Sequence, residues 1–268
     1  MPPKRVISLC PSITETIVAI GGLKSLAAIT RYCTRPNGML WGLPRVGGTK
    51  SPDLPRILDL KPDLVFANAE ENRREDVEAL RAEGIEVDVT LPKSVNEVPS
   101  AIRQWGEKLG TGEEAEALAG RVESAIAEIR SLPPPVPFRY AYWIWKDPWM
   151  TVSDDTYVAD LIRLAGGENV YGQARRRYPT TTPGEALARN PSLHFFPSEP
   201  FPFSAERHDA MTGQVFGPGS RRLFVNGDDY CWHGVRTLEG LKAIRILIKL
   251  DKQVDSPNNR RLNPSGGI

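Results

Sequence analysis

Leu58-Asp59-Leu60-Lys61-Pro62-Asp63-Leu64-Val65-Phe66 recurs, about half a chain later, as Leu187-Ala188-Arg189-Asn190-Pro191-Ser192-Leu193-His194-Phe195. In each copy the proline stops a helix, because it has no N–H to donate and its ring clashes with the preceding turn. The apolar run behind it then reads as a buried strand. A polar stretch follows each strand: Asn68-Ala69-Glu70-Glu71-Asn72 in one copy, Ser198-Glu199-Pro200-Phe201-Pro202-Phe203 in the other. Parallel α/β sheets take ligands beyond the carboxyl ends of their strands. Two copies therefore predict two α/β lobes with parallel sheets, whose polar mouths serve one cleft.

Outward from the first copy, Arg5–Leu9 reads as the opening strand and Pro11-Ser12-Ile13-Thr14-Glu15 as a helix start, with Ser12 as N-cap and Glu15 completing a capping box. Gly21-Gly22 ends that helix, and Leu26–Ile29 reads as a strand. Thr30–Gly48, with Arg31, Tyr32, Cys33 and Trp41, is a long irregular loop of the kind that carries function or mobility. Helix Asp53–Leu60, strand Asp63–Ala67, helix Arg74–Glu83 and strand Ile85–Val89 alternate as βα units should.

Glu113–Ser131 changes the pattern to one long helix, apolar at Ala115, Leu118, Val122, Ile126 and Ile129, capped by Thr111 and Glu114 and ended by Pro133-Pro134-Pro135. At about 30 Å it matches the width of a small domain. It reads either as an amphipathic surface helix or as a strut, and its place between the two copies favours the strut. In the second half, Arg139–Trp145 and Trp149–Val152 read as strands, Thr156–Ala165 as a helix, and Gly166–Val170 as a cap turning into a strand. Helix Gly184–Asn190, strands Leu193–Pro197 and Leu223–Asn226, and helix Leu238–Leu250 follow. The predicted organisation is an N-terminal α/β lobe over 1–110, a backbone helix over 111–132, a C-terminal α/β lobe over 133–250, and a disordered polar tail over 251–268.

Composition narrows the function classes. Thirty-four Lys and Arg against 33 Asp and Glu leave a net charge of +1, which gives no overall attraction to nucleic acid or anionic membrane. Cys10, Cys33 and Cys231 form no CxxC pair, so neither a disulfide scaffold nor a zinc ribbon is indicated. No stretch reaches the roughly 18 apolar residues of a membrane span, and the first strand follows Met1-Pro2-Pro3-Lys4 directly, without a leader. A cytoplasmic, leaderless protein is expected, periplasmic or membrane-anchored only if a leader is missing. GxSxG, Walker and GxGxxG sequences are absent, and an enzyme is not expected.

Arg5-Val6-Ile7-Ser8-Leu9 with Pro11-Ser12-Ile13-Thr14-Glu15, then Val46-Gly47-Gly48, Leu60-Lys61-Pro62-Asp63-Leu64-Val65 and Gly166-Gly167-Glu168-Asn169-Val170 resemble the signature blocks of the helical-backbone metal receptors. These are the vitamin B12, haem and ferric-siderophore binding proteins of ABC importers. The resemblance implies two Rossmann-like lobes joined by a single long rigid helix, with ligand in a shallow cleft. It also implies an ABC permease as partner, docked through one glutamate per lobe, for which Glu75 and Glu185 are the nearest candidates. Tyr178-Pro179 fits the family's aromatic before a proline in the second lobe, whereas Asn68 or Ala69 stands where B12 binders carry an aromatic.

The candidate ligand-binding residues are Arg31, Tyr32, Cys33, Asn68, Glu70 and Glu71 in the first lobe, and Trp149, Tyr178, Glu199, Tyr230, Trp232 and His233 in the second. Flat ligands need apolar faces and a few polar groups to orient them. Each candidate has an ordinary alternative: rim packing for the aromatics, helix-dipole charge for Glu70 and Glu71. His194, His208 and His233 lack paired spacing, so no protein-only metal site is expected, and His194 lies inside a strand. His233, on a loop after the last strand, and Cys33 are the soft donors that a macrocycle's metal could meet, or else bystanders. No intrinsic cofactor is expected. The expected function is a monomeric substrate-binding protein for a cobalamin-like corrinoid, haem or ferric chelate, with a cytosolic enzyme or interaction protein as the alternative.

Overall fold

The computed structural model describes residues 2–217 and 220–254, with side chains to residue 249. Its strands are β1 (Val6–Ser8), β2 (Leu26–Ile29), β3 (Leu64–Asn68), β4 (Glu86–Thr90), β5 (Phe138–Tyr142), β6 (Gly167–Asn169), β7 (Leu193–Pro197) and β8 (Arg221–Val225). The helices are α1 (Pro11–Ala19), α2 (Leu54–Asp59), α3 (Arg74–Ala82), α4 (Val98–Leu109), α5 (Gly112–Ser131), α6 (Tyr157–Arg163), α7 (Pro183–Ala188), α8 (Ala205–Phe216), α9 (Gly227–Cys231) and α10 (Thr237–Val254). They build two four-stranded, all-parallel sheets, ordered β2-β1-β3-β4 and β6-β5-β7-β8. The two orders are the same, with β5 to β8 taking the places of β1 to β4.

The repeat extends to individual hydrogen bonds. Before the two prolines, Lys61 (φ 46°) and Asn190 (φ 52°) both turn the chain in the left-handed region. Asp63 N donates to Arg5 O and Ser192 N to Arg139 O. Arg5 Nε donates to Leu60 O at 2.7 Å, and Arg139 Nη2 to Arg189 O at 2.6 Å, so an arginine at the head of each first strand satisfies a carbonyl beside the end of the corresponding helix. A Cβ on Gly22 would sit 2.8 Å from Ile17 Cγ2, and one on Gly167 2.5 Å from Ile162 Cγ2, which explains the paired glycines after both helices.

Central strands β3 and β7 are buried along their whole length, as parallel strands covered on both faces must be. In the first sheet Ile7, Val65 and Ala67 pack with Ile57, Val77 and Leu80; in the second, Ala141, Trp143 and Phe196 pack with Ala186, Phe203 and Phe216. The chain divides into unit 1, which runs to Ala125 and includes Trp232–Thr237, and unit 2, formed by Ile126–Cys231 and the chain from Leu238. The helix α5 passes from one unit to the other. Trp232–Thr237, within the range read as second lobe, thus belongs with the first.

Several local expectations are corrected. The N-cap of α1 is Cys10, with Pro11 in the first turn and no side-chain cap; Ser12 is buried, and Glu15 pairs with Arg236 instead of closing a capping box. The Thr111 hydroxyl is buried without a hydrogen bond, so it does not cap α5. Trp149–Val152 is not a strand: Met150 makes isolated bridges to Trp145 and Thr180. Helices α4, α8 and α9 were not expected. Asp251–Val254, assigned to a disordered tail, continue α10, and the remainder of that tail lies outside the described residues.

Candidate functional site

Because every strand in a sheet runs the same way, the carboxyl ends of each sheet gather at one edge, where ligands of such sheets bind. In unit 1 the organiser is Asn68, the last residue of β3, which is buried. Its Oδ1 accepts from the backbone N–H of Glu70 at 2.9 Å and Glu71 at 3.2 Å, folding the chain into a tight turn. Asn72 closes the turn from behind: its Oδ1 accepts from Asn68 N at 2.8 Å, and its Nδ2 donates to Leu9 O and Thr49 O. Lys50 Nζ donates to Glu70 O. Arg31 and Tyr32, both exposed, lie together with the guanidinium 5.2 Å from the ring centre, against the surface of Gly48.

Two residues read as soft donors are elsewhere than a ligand surface. Cys33 is buried, with its sulfur 3.1 Å from the hydroxyls of both Thr14 and Thr30, and burial raises its pKa. Burial also pushes the Cys10 thiol up to about 12. His233 is not on an open loop: it is buried in unit 1, its Nε2 lies 3.1 Å from Asn68 Nδ2, and its ring lies 5.8 Å from that of Trp105. Burial lowers its pKa to about 4. Trp232, half-buried, opens the same segment.

In unit 2, the strand ends carry aromatic side chains. Trp145 is 41% exposed and meets Phe201 edge to face at 5.6 Å, with Lys146 Nζ 6.0 Å from the Phe201 ring centre. Trp149 is half-buried and stacks on Phe203. Tyr178 is half-buried with the Arg177 guanidinium 5.9 Å from its ring centre. Glu199, also half-buried, stands in the turn after β7, close against Gly227. Tyr230 lies in α9 and is buried against Tyr142 and Phe195, where burial pushes its phenol up to about 12. Tyr230 is therefore core, not a loop residue.

The glutamates read as docking groups differ in their surroundings. Glu75 is exposed in the first turn of α3. Glu185 is exposed but engaged: its Oε2 accepts from Thr182 N at 3.0 Å and Thr181 Oγ1 at 2.9 Å, closing the capping box that starts α7. Those hydrogen bonds, Thr181's first, lower its pKa. His194 is buried in β7 and accepts from Trp143 Nε1 at 3.1 Å, in a setting that lowers its pKa to about 4 through burial, with the Arg222 charge adding to the effect.

Sequence reading missed Thr49, Lys50 and Asn72 in unit 1 and Trp145 and Phe201 in unit 2. Phe201 had a signal, standing two residues past Glu199, and Lys50 stood two residues past the paired glycines. Among the described residues there is no group of three or more His, Cys, Asp and Glu side chains placed to hold a metal ion. Nor is any described helix long and apolar enough to cross a membrane.

The family described as "Periplasmic binding protein" matches residues 6–211. A vitamin B12-binding protein of Vibrio cholerae serotype O1 is 26% identical over 259 residues, covering 93% of this chain and 90% of the relative. Among solved structures, the periplasmic vitamin B12 binding protein of V. cholerae superposes with a TM-score of 0.81 at 24% identity, over 94% of this chain and 99% of the other. The apo periplasmic haem-binding protein of Roseiflexus sp. RS-1 superposes with a TM-score of 0.77 at 23% identity, over 91% and 97%. At these identities the structures establish the fold.

Proposed function

Since the chain belongs to the periplasmic binding protein family, as the resemblance in its sequence blocks implied, we propose that it is a substrate-binding protein for a preassembled metal chelate, a cobalamin-like corrinoid before haem or a ferric siderophore. The observation that carries this reading is where the donors sit. Cys33 and His233 are buried and hydrogen-bonded, while the loops that follow the strands carry Tyr32 beside Arg31 in unit 1, and Trp145, Tyr178 and Phe201 in unit 2. Such surfaces suit a flat ligand that brings its metal already coordinated. A corrinoid needs no thiol or imidazole from the protein, and a relative that aligns with 93% of this chain is a vitamin B12-binding protein. An ABC permease is the proposed partner; Glu75, whose carboxylate is exposed, fits the docking role better than Glu185, which is committed to its capping box.

Titration with cyanocobalamin, haemin and a ferric catecholate, followed by absorbance, tests the reading. Cyanocobalamin should saturate, and Tyr32→Ala and Tyr178→Ala should each weaken it by about tenfold or more, with circular dichroism confirming the fold. Binding of haemin with a spectrum altered by Tyr32→Phe would move the ligand to haem, with the phenol at the iron. If none of the three binds, the substrate-binding reading gives way to an enzyme or interaction protein on the same fold.

A further inference from the structure

The turn that carries Glu70 and Glu71 is held from a residue far along the chain, and this inference rests on the proposed substrate-binding function together with the sequence reading of Glu70 and Glu71 as ligand-binding residues. Two backbone N–H groups, from Glu70 and Glu71, point at one atom of the Asn68 amide, which assigns that atom as oxygen. The other end of the amide is then NH2, and it faces His233 Nε2 at 3.1 Å. Two donors cannot share a hydrogen bond, so Nε2 is the acceptor and the proton of the neutral ring is on Nδ1. Burial keeps the imidazole neutral, consistent with that role.

His233 is itself gripped. Its ring packs on the fully buried Trp105. The Thr16 hydroxyl donates to Ser12 O at 2.8 Å and accepts from Val235 N at 3.1 Å. Arg236 Nε donates to Glu15 Oε2 at 3.0 Å, both side chains being 12% exposed. Trp232–Thr237 is thereby fixed to α1 and α4 of unit 1. We propose that His233 is a positioning residue for the binding site: by accepting from Asn68 it fixes the amide whose oxygen folds Glu70 and Glu71 into place. It would act on ligand through the turn and not by contact.

The role separates from simple core packing by comparing two substitutions. His233→Leu keeps the bulk and removes the acceptor, leaving the Asn68 NH2 group facing carbon; His233→Gln restores an acceptor near the Nε2 position. Hydrogen exchange at the Glu70 and Glu71 amides should accelerate about tenfold in His233→Leu and return to within about threefold of the parent in His233→Gln. Cyanocobalamin affinity should follow the same order, falling about tenfold in His233→Leu. In a Glu70→Gln background the same substitution should cost less than it does alone. A folded His233→Leu with parental exchange at these two amides, or a His233→Gln as impaired as His233→Leu, would overturn the proposal. Should the parent fail to bind cyanocobalamin, the proposed function falls, while the exchange comparison still decides the positioning role.

Discussion

Gly234→Ala tests the geometry of Trp232–Thr237 most directly. Gly234 has φ 83°, and a Cβ there would lie 2.0 Å from Thr16 Oγ1 and 3.2 Å from Thr16 Cβ. The left-handed backbone alone costs an alanine about 1 kcal/mol relative to glycine. Thr16 cannot rotate away without loss, because its hydroxyl donates to Ser12 O and accepts from Val235 N. Relief therefore needs a backbone shift of more than ~1 Å, with an overpacking cost of about 1–3 kcal/mol. Losing the Val235 bond adds about 1 kcal/mol. The expected total is about 3–5 kcal/mol, against a typical whole-domain stability of roughly 5–15 kcal/mol. Urea unfolding followed by circular dichroism should show the loss, and hydrogen exchange should place it in unit 1. Adding Thr16→Ala removes the hydroxyl that clashes and should recover the steric part, leaving the backbone cost and the lost Val235 hydrogen bond. If Gly234→Ala stays within about 1 kcal/mol of the parent, the close approach inferred for this segment is wrong.

The histidines predict acid sensitivity: His194 and His233 are both lowered from 6.5 to about 4, so between those values the unfolded chain binds more protons than the folded one. Stability should be full above pH 6.5 and fall toward pH 4, by up to about 3 kcal/mol per histidine, and a urea midpoint equal at pH 7.5 and 4.5 would contradict this. Thr182→Ala removes the side-chain half of the capping box of α7 and should cost about 1 kcal/mol in chemical denaturation; no change would show that the box contributes nothing. Lys61→Gly, at φ 46°, should raise the melting temperature, since relief of the left-handed strain of about 1 kcal/mol outweighs the added freedom of the unfolded chain. Asn190→Gly should gain less, because asparagine tolerates that conformation, and a larger gain there than at Lys61 would refute the ranking.

What could be read from the sequence was what local rules decide. Pro62 and Pro191 end helices wherever they stand, and runs such as Leu64-Val65-Phe66 have few alternatives to a buried parallel strand, so the paired sheets were visible. The capping box assigned to Ser12 and Glu15 obeyed the same local logic and failed, because Glu15 has a partner, Arg236, 221 residues away. His233 looked like a loop residue for the same reason, since its hydrogen-bond partner Asn68 stands 165 residues away. Helix α8 was invisible for another cause. Of its residues only Thr212 and Phe216 are buried, which leaves no apolar stripe to detect. Helix α4 did carry a stripe, Ile102, Trp105 and Leu109, and it passed unread between the last strand of the first half and the long helix.

The membership of Trp232–Thr237 in unit 1 also bears on how the chain is made. The first 125 residues of that unit leave the ribosome roughly a hundred residues before the segment that completes it, a delay of ~5–20 s at ordinary synthesis rates. Through that interval Asn68 lacks the imidazole it will meet, Trp105 lacks the ring that packs on it, and Glu15 lacks its guanidinium. A nascent first half is thus an unfinished fold until residues 232–237 emerge. For the same reason a fragment cut after Ala125 will be a poor stand-in for the unit, whereas one carrying residues 232–237 on a short graft should restore its missing wall.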